Sequence, residues 1–429
     1  MLALFAAIVF PMSGAFELPA GVTTVAAELR LPDGAHDLTI RGHASTLRAG
    51  PDFKGRAILS CKNCRHVKFY NFSIDGNRAA LAKPREIAPS DKPFSAVFPD
   101  NGILVEETDG LEVDHLNFTE MPGFSVLVNH SRNILLDHIS VKNSGSRNAK
   151  GRNNTSGGIL LEEGVDSFTV ADSQFENVLG NAVWTHSMYG SPRNSNGKIA
   201  NVKFFDIGRD AIQVGHATRV SVMGNSGARI GMNAPDVDAE GGGTPVGIDT
   251  AGNVDQSTYE YNRFEEVDGK CIDLDGFHDG TVRSNVCVNH GKPEDYPFGH
   301  FGIVFNNANI DMHSENILVE DNQLDGMKFG GIFVIGTGHR ILRNHLSHVN
   351  TAHCNENSAK YGCSVLNEPE VLEAGIYLGS HAEHPAPARN NRIEGNTIGG
   401  WKMKARCIQT APGVKLSDNT IKGNICTDE

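Results

Sequence analysis

Three aspartates have types and spacing that could do chemistry together: Asp249 in Gly247-Ile-Asp-Thr250, and Asp273 and Asp275 in Ile272-Asp-Leu-Asp275. Asp is a poor strand former, so its recurrence just after an isoleucine in short apolar runs calls for a reason. Carboxylates held close cannot all ionise freely, and repulsion leaves an acid beside a base at neutral pH. Asp273 is the expected acid, with Asp249 and Asp275 as the base pair holding a water. Trp184 offers a flat apolar face for stacking, and His186, Gln213, His216, His278 and His300 are the polar candidates for contacting a ligand beside them. Asp275 precedes Gly276 and also reads as a turn former. Glu162 and Glu163, echoed by Glu106 and Glu107, read as a solvated face.

The elements that must position these groups follow from a repeat. Short apolar strands align on Ile103, Val126, Ile159, Val183, Ile212, Ile248, Ile272, Ile303, Ile332, Ile376 and Ile408, with smallest steps of 23 and 24 residues. Asn71, Asn262, Asn285, Asn322, Asn344, Asn396 and Asn419 form a second column, of corner residues. Asparagine suits a corner because it tolerates left-handed backbone and hydrogen-bonds locally. Alternate strand residues point to opposite faces, so positions one and three after the apolar column face outward. There the middle rungs carry Leu160 and Glu162, Trp184 and His186, Gln213 and Gly215, Asp249 and Ala251, and Asp273 and Asp275, whereas the last carry Val304, Phe333, Ile335 and Tyr377. Rungs about 4.8 Å apart would stack Asp249 on Asp273 and set Asp249 roughly 8 Å from Asp275 on the diagonal. That diagonal leaves room for an attacking water. Insertions at 143–157, 188–198, 226–245, 289–301, 350–373 and 380–390 are expected to crowd one edge of this strand into a cleft.

The rest of the sequence narrows the class. Of 429 residues, 47 are Gly and 37 Asn, with only 7% aromatics, the balance of a chain with many short strands and tight corners. A net charge of −13 without a basic run disfavours a nucleic-acid partner. The eight cysteines fall into close pairs, Cys61 with Cys64, Cys271 with Cys287, Cys354 with Cys363 and Cys407 with Cys426. An even count paired at short range suits disulfides made outside the reducing cytosol. Residues 1–15 hold an apolar run followed by small residues, the pattern of a signal peptide cut near Ala15 and too short to span a membrane. The reading is a secreted or periplasmic protein with one domain over residues 16–429.

This period, with Leu38-Thr-Ile-Arg-Gly42 and Asn71-Phe-Ser-Ile-Asp-Gly-Asn77, resembles the single-stranded right-handed parallel β-helix of the pectate-lyase-like superfamily, from about Leu38 to the C-terminus. The resemblance implies an all-β solenoid of about eleven or more rungs. Within that superfamily, Asp249, Asp273-Leu-Asp275 and Gly299-His-Phe301 are distantly similar to the site of polygalacturonase-type glycoside hydrolases. This chain lacks their Asn-x-Asp and Arg-x-Lys, separates the adjacent aspartates by Leu274, and has Phe301 where they have glycine. The resemblance implies an enzyme that cleaves glycosidic bonds of a polysaccharide; with the N-terminal segment, the cysteine pairs and the roughly 8 Å diagonal, the expectation is an exported, inverting hydrolase without a cofactor. The missing cationic clamp and the negative net charge favour a neutral or lightly charged glycan. Other reaction classes stay open. A polysaccharide lyase would hold Ca²⁺ on the three aspartates and use Lys270 or Arg283 as base. A uronan C5-epimerase and a non-catalytic glycan-binding or adhesin solenoid are the others.

Overall fold

The computed structural model describes residues 8–81, 83–86, 88, 91–239, 243–363, 368 and 371–429. Residues 1–7 of the expected signal segment and parts of the 226–245 and 350–373 insertions lie outside them. The chain divides into two compact units, one ending at Arg209 and the other beginning at Asp210. Each is a right-handed parallel β-helix, built from short strands that pair in parallel with the strands one rung away.

Alternation of side chains sets the register. In the first unit Leu29, Leu59, Ile103, Val126, Ile159 and Val183 are successive Cα partners. In the second, Ile212, Ile248, Ile272, Ile303, Ile332, Ile376 and Ile408 are. The members from Ile103 through Ile376 are fully buried, so each unit's core is a stack of branched side chains that a one-residue slip would turn outward.

Corners are fixed differently in the two units. In the second, Asn225, Asn262, Asn285, Asn322, Asn344, Asn396 and Asn424 stack, each side-chain amide donating to the next asparagine's carbonyl oxygen at 2.8–3.0 Å. The second amide hydrogen goes to a main-chain carbonyl, as from Asn322 to Val282 at 3.0 Å. Using both donors of these amides is the condition for burying them. Two of the expected column fall elsewhere. Asn71 is an exposed corner residue with φ 57°, and Asn419 caps another corner by accepting from the Asn391 main-chain nitrogen at 3.0 Å. In the first unit the equivalent corner is apolar at Phe72, Leu116, Ile139 and Val202.

The cysteines are joined as their spacing suggests. Cys61 is bonded to Cys64, Cys271 to Cys287, Cys354 to Cys363 and Cys407 to Cys426, with Cα atoms 5.4–6.2 Å apart. That separation is one a disulfide spans without backbone movement. The bond from Cys271 to Cys287 ties strand Lys270–Asp275, which carries two of the candidate aspartates, to strand Val286–Val288. Gly14–Glu17 pairs with His36–Arg41 and Phe10 is buried against Phe16, ring centroids 5.1 Å apart, so Phe10 and Gly14–Glu17 are packed into the first unit. Among the described residues no helix is long and apolar enough to cross a membrane.

The insertions do not share one edge. Those at 143–157, 226–245, 289–301 and 350–373 precede their apolar-column strands, whereas 188–198 and 380–390 follow theirs. In the second unit the column strand is therefore flanked by long segments on both sides.

Candidate active site

Asp249 and Asp273 are Cα partners on adjacent strands, Val246–Asp255 and Lys270–Asp275. Both are nearly buried, at 9% and 5% exposure. Gln213, the partner of Asp249 on the preceding rung, donates to Asp249 Oδ2 at 2.7 Å. Lys270 donates to Asp273 Oδ2 as a buried ion pair, and Asp273 Oδ1 has no partner among the described residues. Asp275, half-buried, accepts from the Ala308 main-chain nitrogen at 2.7 Å.

Burial and neighbouring charge act on Asp249 and Asp275. Burial, then repulsion from Asp210 and Asp273, pushes the Asp249 carboxyl well above the ordinary carboxylate range, and attraction from Lys270 offsets this only in part. Burial is also the chief cause at Asp275, where the hydrogen bond from Ala308 pulls the other way; its pKa stands at about 7. Burial alone would lower the Lys270 ammonium, but attraction by Asp273 and the hydrogen bond donated to it outweigh this, and its pKa is raised. His300 is held down to about 3 by burial and then by Lys270, so its imidazole is neutral.

The polar candidates divide. Gln213 and His300 belong to this cluster, Gln213 as a holder of Asp249. His278 turns away: its Nδ1 lies 3.1 Å from the Gly276 carbonyl, and Nε2 is 3.9 Å from Asp255. His216 is a buried corner residue with φ 46°. Trp184 and His186 are in the first unit. Trp184 does face outward from its strand, but it is 6% exposed beneath Phe94, with ring centroids 5.0 Å apart, in a cluster with Phe98, Phe124, Leu127 and Leu160. Its ring is therefore a packing surface for the Phe94–Val97 turn and offers no open face to a sugar.

Glu162 and Glu163 correct the expectation of a solvated face: both are fully buried. Glu162 accepts from the main-chain nitrogens of Phe94 and Ser95 at 2.8 Å and from Asn129 Nδ2 at 3.0 Å. Repetition of Glu106 and Glu107 suggested a surface because nothing in the repeat announces the segment that covers it.

Two further contributors belong to no sequence motif. Asp210 is 4% exposed, accepts from the Val246 main-chain nitrogen at 3.0 Å and repels Asp249. Its signal was positional, since it stands two residues ahead of Ile212 as Lys270 stands two ahead of Ile272. The other is the 306–315 segment, which supplies the Ala308 amide. Asn307 Nδ2 donates to the His384 carbonyl at 2.9 Å and the His384 amide returns a bond to Asn307 Oδ1 at 3.0 Å, tying it to the 380–390 insertion. On the other flank Asp268 Oδ1 accepts from the Phe298 amide at 2.8 Å, two residues before His300, and burial raises Asp268 to about 7. Asp249, Asp273 and Asp275 do not bring three ligand oxygens within 4.8 Å of one another, as a shared metal would require.

No family model and no curated protein matches the chain. Solved structures match its fold. The surface adhesin PfbA of Streptococcus pneumoniae superposes with TM-score 0.52 at 14% identity, over 78% of this chain and 82% of that one. The catalytic domain of a GH87 alpha-1,3-glucanase in complex with tetrasaccharides gives 0.53 at 13%, over 96% and 64%. DFA-IIIase from Arthrobacter chlorophenolicus A6 in complex with DFA-III gives 0.53 at 13%, over 96% and 88%. At these identities the likeness is one of fold: this chain is similar to an adhesin and to enzymes alike.

Proposed function

We propose that this chain is an exported carbohydrate-active enzyme that hydrolyses glycosidic bonds of a neutral or lightly charged glycan with inversion. The observation that carries the reading is the unequal treatment of facing carboxylates: Asp249 is buried against other carboxylates while Asp273 holds the ammonium of Lys270. This arrangement favours Asp249, rather than Asp273, as the general acid. Asp249 gives its proton to the leaving-group oxygen. Asp275, ionised in a large fraction at neutral pH, takes a proton from the water that attacks the anomeric carbon from the opposite side. One water is consumed, and each bond made at the sugar carbon balances the bond broken. Lys270 and Asp273 set the local potential, and neutral His300 is available to contact substrate hydroxyls.

The four disulfides suit a protein exported to an oxidising compartment. The bound tetrasaccharides of the glucanase agree with a glycan ligand on this fold. The lyase reading is weaker, because Lys270 stays an ammonium in its ion pair and is a poor base. The test is a digest of plant, algal and microbial polysaccharides that reads reducing ends and the ultraviolet absorbance of unsaturated uronates together, with and without EDTA. New reducing ends of inverted anomeric configuration by NMR, without absorbance, support the proposal; absorbance that EDTA abolishes would replace it with a lyase.

A further inference from the structure

A second group of ionisable side chains lies in the first unit. Glu162 and His186 are Cα partners on adjacent rungs, and Glu163 follows Glu162 at the corner. One ligand atom from each of the three comes within 4.8 Å of the others. Both carboxylates are fully buried and His186 is half-buried. The donors to Glu162 are two main-chain amides and an asparagine, all neutral. Glu163 Oε1 accepts from the Met188 amide at 2.8 Å, while its buried Oε2 has no partner among the described residues. Among the described residues no lysine or arginine pairs with either carboxylate.

Two buried carboxylates side by side repel, and burying either without compensation is costly. A compensating group would be cationic, compact, and able to accept an oxygen lone pair from Glu163 Oε2. A proton on Glu162 would still leave the buried Glu163 Oε2 without a partner among the described residues.

We propose that Glu162, Glu163 and His186 bind a first-row divalent cation, of the zinc or manganese class, as a structural site in the first unit. Two carboxylates and one imidazole suit such an ion, whereas calcium takes six to eight oxygens. The ion would also secure the Phe94–Val97 turn: Glu162 holds that turn by its first two amides, and His186 lies 5.3 Å from Trp184 and 5.5 Å from Phe94 between ring centroids. The site thus couples metal content to the packing around Trp184.

The test uses the full chain, stripped with EDTA and dialysed, then titrated with Zn²⁺, Mn²⁺ and Ca²⁺ by calorimetry while tryptophan emission is followed in a Trp401→Phe background, which leaves Trp184 as the reporter. The expected result is one Zn²⁺ or Mn²⁺ per chain, weak or no Ca²⁺ binding, a higher Tm and a shift in Trp184 emission. Glu163→Gln, nearly isosteric, is expected to weaken binding at least about 100-fold with an unchanged circular dichroism spectrum. Should that variant fold poorly, His186→Ala, at the more open side, is expected to give the same loss. Asp273→Asn is expected to bind as wild type. No uptake by the stripped wild type, or uptake undiminished in both ligand variants, overturns the proposal. Because these readouts need no catalysis, failure here and failure of the hydrolase reading are separate outcomes.

Discussion

Asp249 and Asp273 face each other across one rung spacing, yet Asp273 receives the ammonium of Lys270 and Asp249 the neutral amide of Gln213. Two identical groups on one strand column are thereby made chemically unlike. In the proposed mechanism this difference is what assigns proton donor and anion.

Lys270→Met should expose how that difference is maintained. Losing the ammonium leaves Asp273 buried without its cation, a change that costs about 3–5 kcal/mol. Lys270 also lowers the pKa of Asp249 and Asp275. Its removal should therefore move the acid limb of the kcat/KM profile, where Asp275 must ionise, to higher pH. Denaturant unfolding and a pH profile on the same variant check both.

Asp249→Asn should trade activity for stability. The amide cannot donate the acid proton, so turnover should fall at least about 100-fold. It also carries no charge to be repelled by Asp210 and Asp273, so at pH 8 the variant should be as stable as wild type or more so. Reducing-end assays and thermal melts at pH 8 test the two halves, and undiminished turnover would remove Asp249 from the acid role.

Stability should depend on pH in a defined window. Asp268 and Asp275 have folded pKa values of about 7, raised from an ordinary 3.8 mainly by burial. The folded state thus binds their protons more tightly than the unfolded chain. Their contribution is fully present below about pH 4 and is lost as pH rises through 7. Tm should drop by several degrees between pH 5 and pH 8, and Asp268→Asn should flatten that slope.

The asparagine ladder of the second unit should be costly to interrupt. Asn322→Ala removes the acceptor of the Asn285 amide and the donor to both Asn344 and the Val282 carbonyl. With these groups buried, the loss should be about 2–4 kcal/mol, read as a lower Tm with rung structure retained.

The coil and its register are legible in the order of residues alone. Period-two alternation and corner chemistry act within a few residues, so local signals alone fix the apolar column from Ile103 to Ile408. Short spacing likewise sufficed to pair Cys61 with Cys64, Cys271 with Cys287, Cys354 with Cys363 and Cys407 with Cys426. The same alternation put Asp249, Asp273 and Asp275 on one outward stripe. It also placed Trp184 and Glu162 outward, correctly, but outward from a strand is not the same as exposed.

What covers a stripe was decided by tertiary structure. The Phe94–Val97 turn arrives from earlier rungs to roof Trp184 and to cap itself on Glu162, turning an apparent surface into a second core. In the second unit, segments before and after the strand instead bring the Ala308 amide to Asp275 and His300 towards Lys270. Burial and neighbouring charge, not residue type, then fix which carboxyl keeps its proton. Those depend on contacts between segments tens of residues apart, which a short repeat does not encode.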